Sequence, residues 1–178
     1  AIENIEAFIK FLLESNYKAD IELALAKYSG IRAVEFALRH SFSKDGRKIL
    51  KMTGGRPRRY LSCVLGLWDV FNLKTILRGK HGKIEWHQIF ENVVPAGELD
   101  EVLLEELSKQ ANILAVIEML TLWKHELSKP LNEYLEEYKK TNNLVVLEYA
   151  MDKYYFSRVL EELKDDERNA QITKEMFS

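Results

Sequence analysis

Gly79-Lys80-His81-Gly82 has the residue types of a loop that grips phosphate, and Gly55-Arg56-Pro57-Arg58-Arg59 has those of a hook that reads the DNA minor groove. The first lacks the upstream glycine and trailing Ser/Thr of a nucleotide loop. It also follows a helical pattern, so it meets a helix C-terminus, whereas phosphate is held at helix N-termini. The second is a single copy that runs from Arg58-Arg59 directly into an apolar stretch, with no disordered basic flank around it. His40, His81, His87 and His125 show no metal-ligand spacing, and no pair of the many glutamates is marked for acid–base work. Cys63 on a helix flank reads as a small core residue. The sequence therefore predicts no catalytic residue, no cofactor and no metal.

The charge is uneven. Lys44 to Lys83 holds eleven Lys/Arg against Asp45 and Asp69, about +9, in a chain of net charge −2, so the rest carries about −11. Such asymmetry points to a surface with a preferred partner or to a solvated basic turn. Arg56, Arg58, Arg59, Lys80 and Lys83 are the candidate partner contacts, facing acidic partner proteins or lipid headgroups. A helical nucleic-acid-binding module using residues 44–83 is the alternative function.

The elements that must position these residues are helices. The 178 residues are 47% apolar with three prolines and eight glycines, which suits helices and a buried core. No apolar run approaches the roughly 20 residues of a membrane span. A lone cysteine fits a reducing compartment. Residues 1–15, with Glu3, Glu6 and Glu14, do not resemble a signal peptide, and Ala1 in place of Met suggests a trimmed or excised chain. Apolar spacing near 3.6 predicts an opening helix with Ile2, Ile5, Ile9 and Leu12/Leu13 on one face. A second helix, capped by Asp20, carries Ile21, Ala24, Tyr28, Ile31, Val34 and Leu38. Residues 41–55 read as polar and basic, with one helical turn near Ile49-Leu50. A long helix starts near Pro57 and is apolar nearly all round, which marks a central one. Gly79 and Gly82 are its expected left-handed stop, and Arg78 and Lys80 complement its dipole. Shorter helices follow at 84–90, 99–109 and 113–123, then one capped by Ser128 with Pro130 in its first turn. The last runs from 144 to 163, ahead of a solvated 164–168 run.

On the central helix, Asn72 lies four residues after Trp68 and four before Ile76, where a buried amide must find partners. Asp69 and Lys74 are either solvated or paired. Arg78 serves the helix end or a carboxylate such as Glu22 or Glu35. Trp68, Leu73 and Ile76 hold the unit rigid.

Glu22, Ala24, Lys27, Tyr28 and Arg32 recur as Glu148, Ala150, Lys153, Tyr154 and Arg158 at a constant offset of 126. A constant offset favours a duplicated helical unit. The counterpart of Trp68–Gly79 would then fall beyond Ser178, leaving the second unit without its central helix and with an open face.

Arg59-Tyr60-Leu61, Leu67-Trp68-Asp69-Val70 and the continuous Asn72-Leu73-Lys74-Thr75-Ile76-Leu77-Arg78-Gly79-Lys80 resemble the signature helix of the C subunit of V-type/A-type rotary ATPases, called the d subunit in vacuolar ATPases. Ile84-Glu85, Val93-Val94-Pro95-Ala96-Gly97-Glu98-Leu99 and Leu147 to Phe156 are similar to that family's pattern, over about Ile5 to Leu163. The resemblance implies an all-α protein of three similar helical bundles arranged as a funnel. It would sit peripherally on the cytoplasmic face of the membrane's proteolipid ring and receive the central stalk, in ATP-driven proton or sodium transport or ATP synthesis. It implies no chemistry of its own. This chain has about half a typical member's length, or about one and a half units: 1–110, with its central helix at 57–79, and an incomplete 111–178. The open face of the incomplete unit allows a homo-oligomer.

Overall fold

The structure, a computed structural model, describes residues 4–164. Among them every regular element is a helix: α1 (Ile5–Leu13), α2 (Lys18–Leu25), α3 (Gly30–Met52), α4 (Gly55–His81), α5 (Trp86–Phe90), α6 (Glu101–Lys109), α7 (Ile113–Leu122), α8 (Ser128–Glu133), α9 (Leu135–Thr141) and α10 (Val145–Leu163). They gather into two compact units, Ala1–Met52 and Thr53–Ser178. This division by compactness falls elsewhere than the repeat boundary expected at 110/111.

In the first unit, Asn4 starts α1 by accepting a hydrogen bond from Ala7 N at 2.8 Å. Leu12, Ile21, Ala24, Ala33, Val34 and Ala37 form the core. The small side chains of Ala24, Ala33 and Ala37 keep α2 and α3 close. The expected helix through Ile21 and Leu38 is broken instead. It stops at Leu25 and restarts at Gly30, whose φ of +58° lies where glycine is tolerated best. The break turns Ile31 and Leu38 outward. Asp20 is no cap, because it lies inside α2. It is buried, takes hydrogen bonds from Lys44 Nζ at 2.9 and 3.0 Å, and sits 2.9 Å from His40 Nδ1. Burial pushes its carboxyl up, but Lys44 and His40 outweigh that and hold it below the usual carboxylate range.

Residues 41–52, expected to be mostly irregular, continue α3. Lys, Arg, Leu and Met are good helix formers, and no proline interrupts Gly30–Met52, so polarity here marks a helix with one exposed side rather than a loop. Ile2 and the 165–168 part of the expected solvated end lie outside the described residues.

In the second unit, α4 is central and packs against α5, α6, α7 and α10. Its 27 residues make it long and apolar enough to cross a membrane by length and composition, contrary to the sequence expectation. Yet Val70, Leu73, Ile76 and Leu77 are buried against the neighbouring helices, as in the core helix of a bundle. The core continues through Leu104, Leu107, Ile117, Leu120 and Leu131 to Leu147, Met151 and Tyr155 on α10. Asp100 and Asn112, for which the sequence suggested no role, cap α6 and α7 by accepting from Leu103 N and Ala115 N, both at 3.0 Å. Ser128 is the first residue of α8 rather than its cap.

The stop of α4 also differs from expectation. Gly79 stays helical, and Lys83 takes the left-handed conformation at φ +56°. Ile84 N donates to Gly79 O at 2.9 Å and Lys83 N to Lys80 O at 3.2 Å, which is the Schellman pairing. Gly79 serves packing: a Cβ there would run into the side chain of Ile89 on α5.

The two echoing segments differ locally. Glu22–Arg32 crosses the break between α2 and α3, whereas Glu148–Arg158 lies within the unbroken α10.

Candidate functional site

Successive turns of α4 present Asp69 and Asn72 to the segment between α5 and α6. Asn72 Nδ2 donates to Val94 O at 2.7 Å, and Val94 N donates back to Asn72 Oδ1 at 2.7 Å. The Asp69 carboxylate accepts from Glu98 N at 2.8 Å and Leu99 N at 3.1 Å. Gly97 passes so close that a Cβ would overlap that carboxylate. Both side chains are buried, so these four hydrogen bonds meet polar demands that water cannot reach. Burial also pushes the Asp69 carboxyl up to about 7, although the Glu98 and Leu99 amides pull the other way.

The flank of α4 facing α10 is basic where α10 is acidic. Lys74 Nζ donates to both carboxylate oxygens of Asp152 at 2.6 Å. Arg78 forks onto Glu148 at 2.6 and 2.7 Å. Arg59 Nε reaches Glu162 at 2.7 Å. The helices are antiparallel, so residues four apart on one meet residues four apart on the other. Between these pairs, Tyr155 OH donates to Cys63 O at 2.6 Å. Burial pushes the Tyr155 phenol up to about 12 and raises the Cys63 thiol, which leaves both as packing groups. Arg158, also on α10, pairs with Glu126 ahead of α8.

The structure thus joins the expected motif residues into one scaffold. Leu73 and Ile76 are fully buried, and Trp68 is half-buried with its ring 6.1 Å from that of Phe71. The partner of Arg78 is Glu148, not Glu22 or Glu35. The candidate partner contacts do not form one patch. Arg56, Arg58 and Arg59 sit in the first turns of α4, while Lys80 and Lys83 lie at its far end, about 36 Å away at 1.5 Å per residue. At least four of the eleven cations between Lys44 and Lys83 are paired with carboxylates: Lys44, Arg59, Lys74 and Arg78. Sequence reasoning missed Glu148, Asp152 and Glu162 as partners, and Gly97 as the residue that lets the loop approach. The matched i,i+4 spacing of Lys74/Arg78 and Glu148/Asp152 was the available signal.

The sequence that builds this scaffold matches a known family. The model of the ATP synthase (C/AC39) subunit family matches residues 1–178. The chain belongs to this family. Its members are non-catalytic components of the membrane-bound A/V-type rotary ATP synthases. The A-type ATP synthase C subunit of Methanosarcina mazei is 30% identical over 175 residues, 96% of this chain and 47% of that protein. The Methanosarcina acetivorans C subunit is 33% identical over 153 residues, 86% of this chain and 41% of its own. The Haloquadratum walsbyi C subunit is 27% identical over 162 residues, 91% of this chain and 47% of its own. This C/AC39 chain spans about half the length of the curated relatives it matches.

Proposed function

We propose that the chain acts as a rotor adaptor of a rotary ATPase, linking the central stalk to the proteolipid ring on the cytoplasmic face of the membrane. The observation that carries this is the family match over the whole chain. The α4 scaffold supports it. A part that transmits torque must resist shear between its helices, and charged pairs along α4–α10 with a doubly clamped loop supply such resistance. Arg56 and Arg58 at one end of α4, and Lys80 and Lys83 at the other, are then two separate contact regions, while Arg59 of the expected set is held by Glu162. Two regions suit an element that bridges two partners.

The finer organisation belongs to the same proposal: about one and a half of three similar units, 1–110 and 111–178. Burial that agrees at part of the echo supports it, although Leu25 is exposed where Met151 is fully buried. Ile21 and Leu147 are both fully buried, Ala24 and Ala150 nearly so, and Leu23 and Tyr149 both exposed. A homo-oligomer through the open face of the incomplete unit is a further part of this reading.

Pull-down of the purified chain by detergent-solubilised proteolipid ring, and separately by isolated stalk proteins, tests the adaptor role. Binding to both is expected, and binding to neither overturns it. The nucleic-acid alternative is the weaker reading, because carboxylates hold at least four of the basic segment's cations. Duplex affinity falling steeply with salt would revive it.

A further inference from the structure

The corner between α7 and α8 is closed by an imidazole. α7 ends on a Schellman pairing, with His125 N donating to Leu120 O and Lys124 N to Thr121 O, both at 3.0 Å. Lys124 takes the left-handed position at φ +56°, where a β-carbon is strained. Two residues after His125, Leu127 N donates to its Nδ1 at 3.3 Å. Ser128 N, at the first residue of α8, donates to His125 O at 3.0 Å. Leu127 is buried, so its amide needs a protein acceptor, and the imidazole supplies one.

An Nδ1 that accepts carries no proton, so the neutral ring holds its proton on Nε2. That nitrogen is buried and has no hydrogen-bond partner among the described residues. A second proton must go to Nδ1, where it would face the Leu127 N–H, donor against donor, and the amide would lose its acceptor. Two charged groups reach the ring from other elements: Glu98, from the segment between α5 and α6, and Arg158, from α10. Burial holds the imidazole below its ordinary value against the pull of Glu98, and Arg158 adds to the lowering.

We propose that this corner is a proton-operated joint, in which a proton taken up at His125 Nδ1 breaks the Leu127 hydrogen bond and releases the 124–128 turn that joins α8 to α7. Glu126 of the same turn holds Arg158, so proton uptake is coupled to how the turn is held on α10. The open turn binds the proton near the ordinary histidine value of about 6.5 and the closed turn only below it. The closed turn is therefore fully favoured above about pH 6.5 and is lost as pH falls. Asp69 has the opposite sign, since its raised carboxyl favours the folded state as pH falls. The inference stands on this turn alone and is independent of the rotor reading.

NMR of the full chain between pH 8 and pH 5 tests it. The His125 ring, identified by its absence from His125→Asn, is expected as the Nε2–H tautomer at neutral pH. The Leu127 and Ser128 amides, corrected for the intrinsic pH dependence of exchange, are expected to lose protection by up to about tenfold per pH unit below about 6.5. His125→Asn is expected to keep both amides protected at pH 5, because its Oδ1 accepts from the amide two residues on and takes up no proton. A proton on Nδ1 at neutral pH, wild-type protection unchanged down to pH 5, or an equal loss in wild type and His125→Asn would overturn the proposal.

Discussion

Asp69 places a carboxyl in a site where burial outweighs two amide donors and pushes it up to about 7. The unfolded chain releases this proton near 4, so between pH 4 and 7 the folded state binds more protons and stability falls as pH rises. The whole span is on the order of 4 kcal/mol. Asp69→Asn removes the titration, so the difference in urea midpoint between wild type and variant should shift between pH 5 and pH 8, with wild type relatively weaker at pH 8. A pH-independent difference would show that the amides, not burial, set this carboxyl. Lys83 makes a second residue-scale test. A β-carbon at φ +56° is strained, so Lys83→Gly should raise stability by about 0.5–1 kcal/mol in denaturant melts. Asn72 was legible as a hydrogen-bonder because its neighbours on α4 are apolar. Lys83 was not, because Gly79 and Gly82 beside it are the types that usually stop a helix.

α4 and α10 show how the same kind of charge pair differs in weight with exposure. The Lys74 side chain is 13% exposed and Arg59 51%. Lys74→Glu sets two carboxylates against each other at a mostly buried site and should cost about 2–4 kcal/mol in urea melts. Lys74→Glu with Asp152→Lys should recover part of that. Arg59→Ala, at a solvent-screened pair, should cost no more than about 1 kcal/mol, and less at high salt. Equal losses at the two sites would mean that the pairs act as one network. At this scale the sequence was legible where an apolar stripe is strong, as in α4 and α10. It was misleading in α3, where a helix polar on most of its surface looks like a loop when read by hydropathy alone.

Two units with separate cores should respond separately to damage. Leu73 is fully buried in the second unit and Ile21 in the first. Leu73→Ala should lose roughly 2–5 kcal/mol of protection from amide exchange within α4–α10 and leave α1–α3 near wild type, and Ile21→Ala should do the reverse. Uniform loss across the chain would show one cooperative block instead. The sequence alone determined the all-helical class, the central helix, most of the short helices and the family, because these follow from apolar periodicity and from a long continuous string of residue types. Only the tertiary structure decided which acid meets which base, that Asp20 is a buried ion-pair partner rather than a cap, and that Gly97 must be small. Those facts depend on residues far apart in the chain being brought within hydrogen-bonding reach, and local spacing carries no record of that distance.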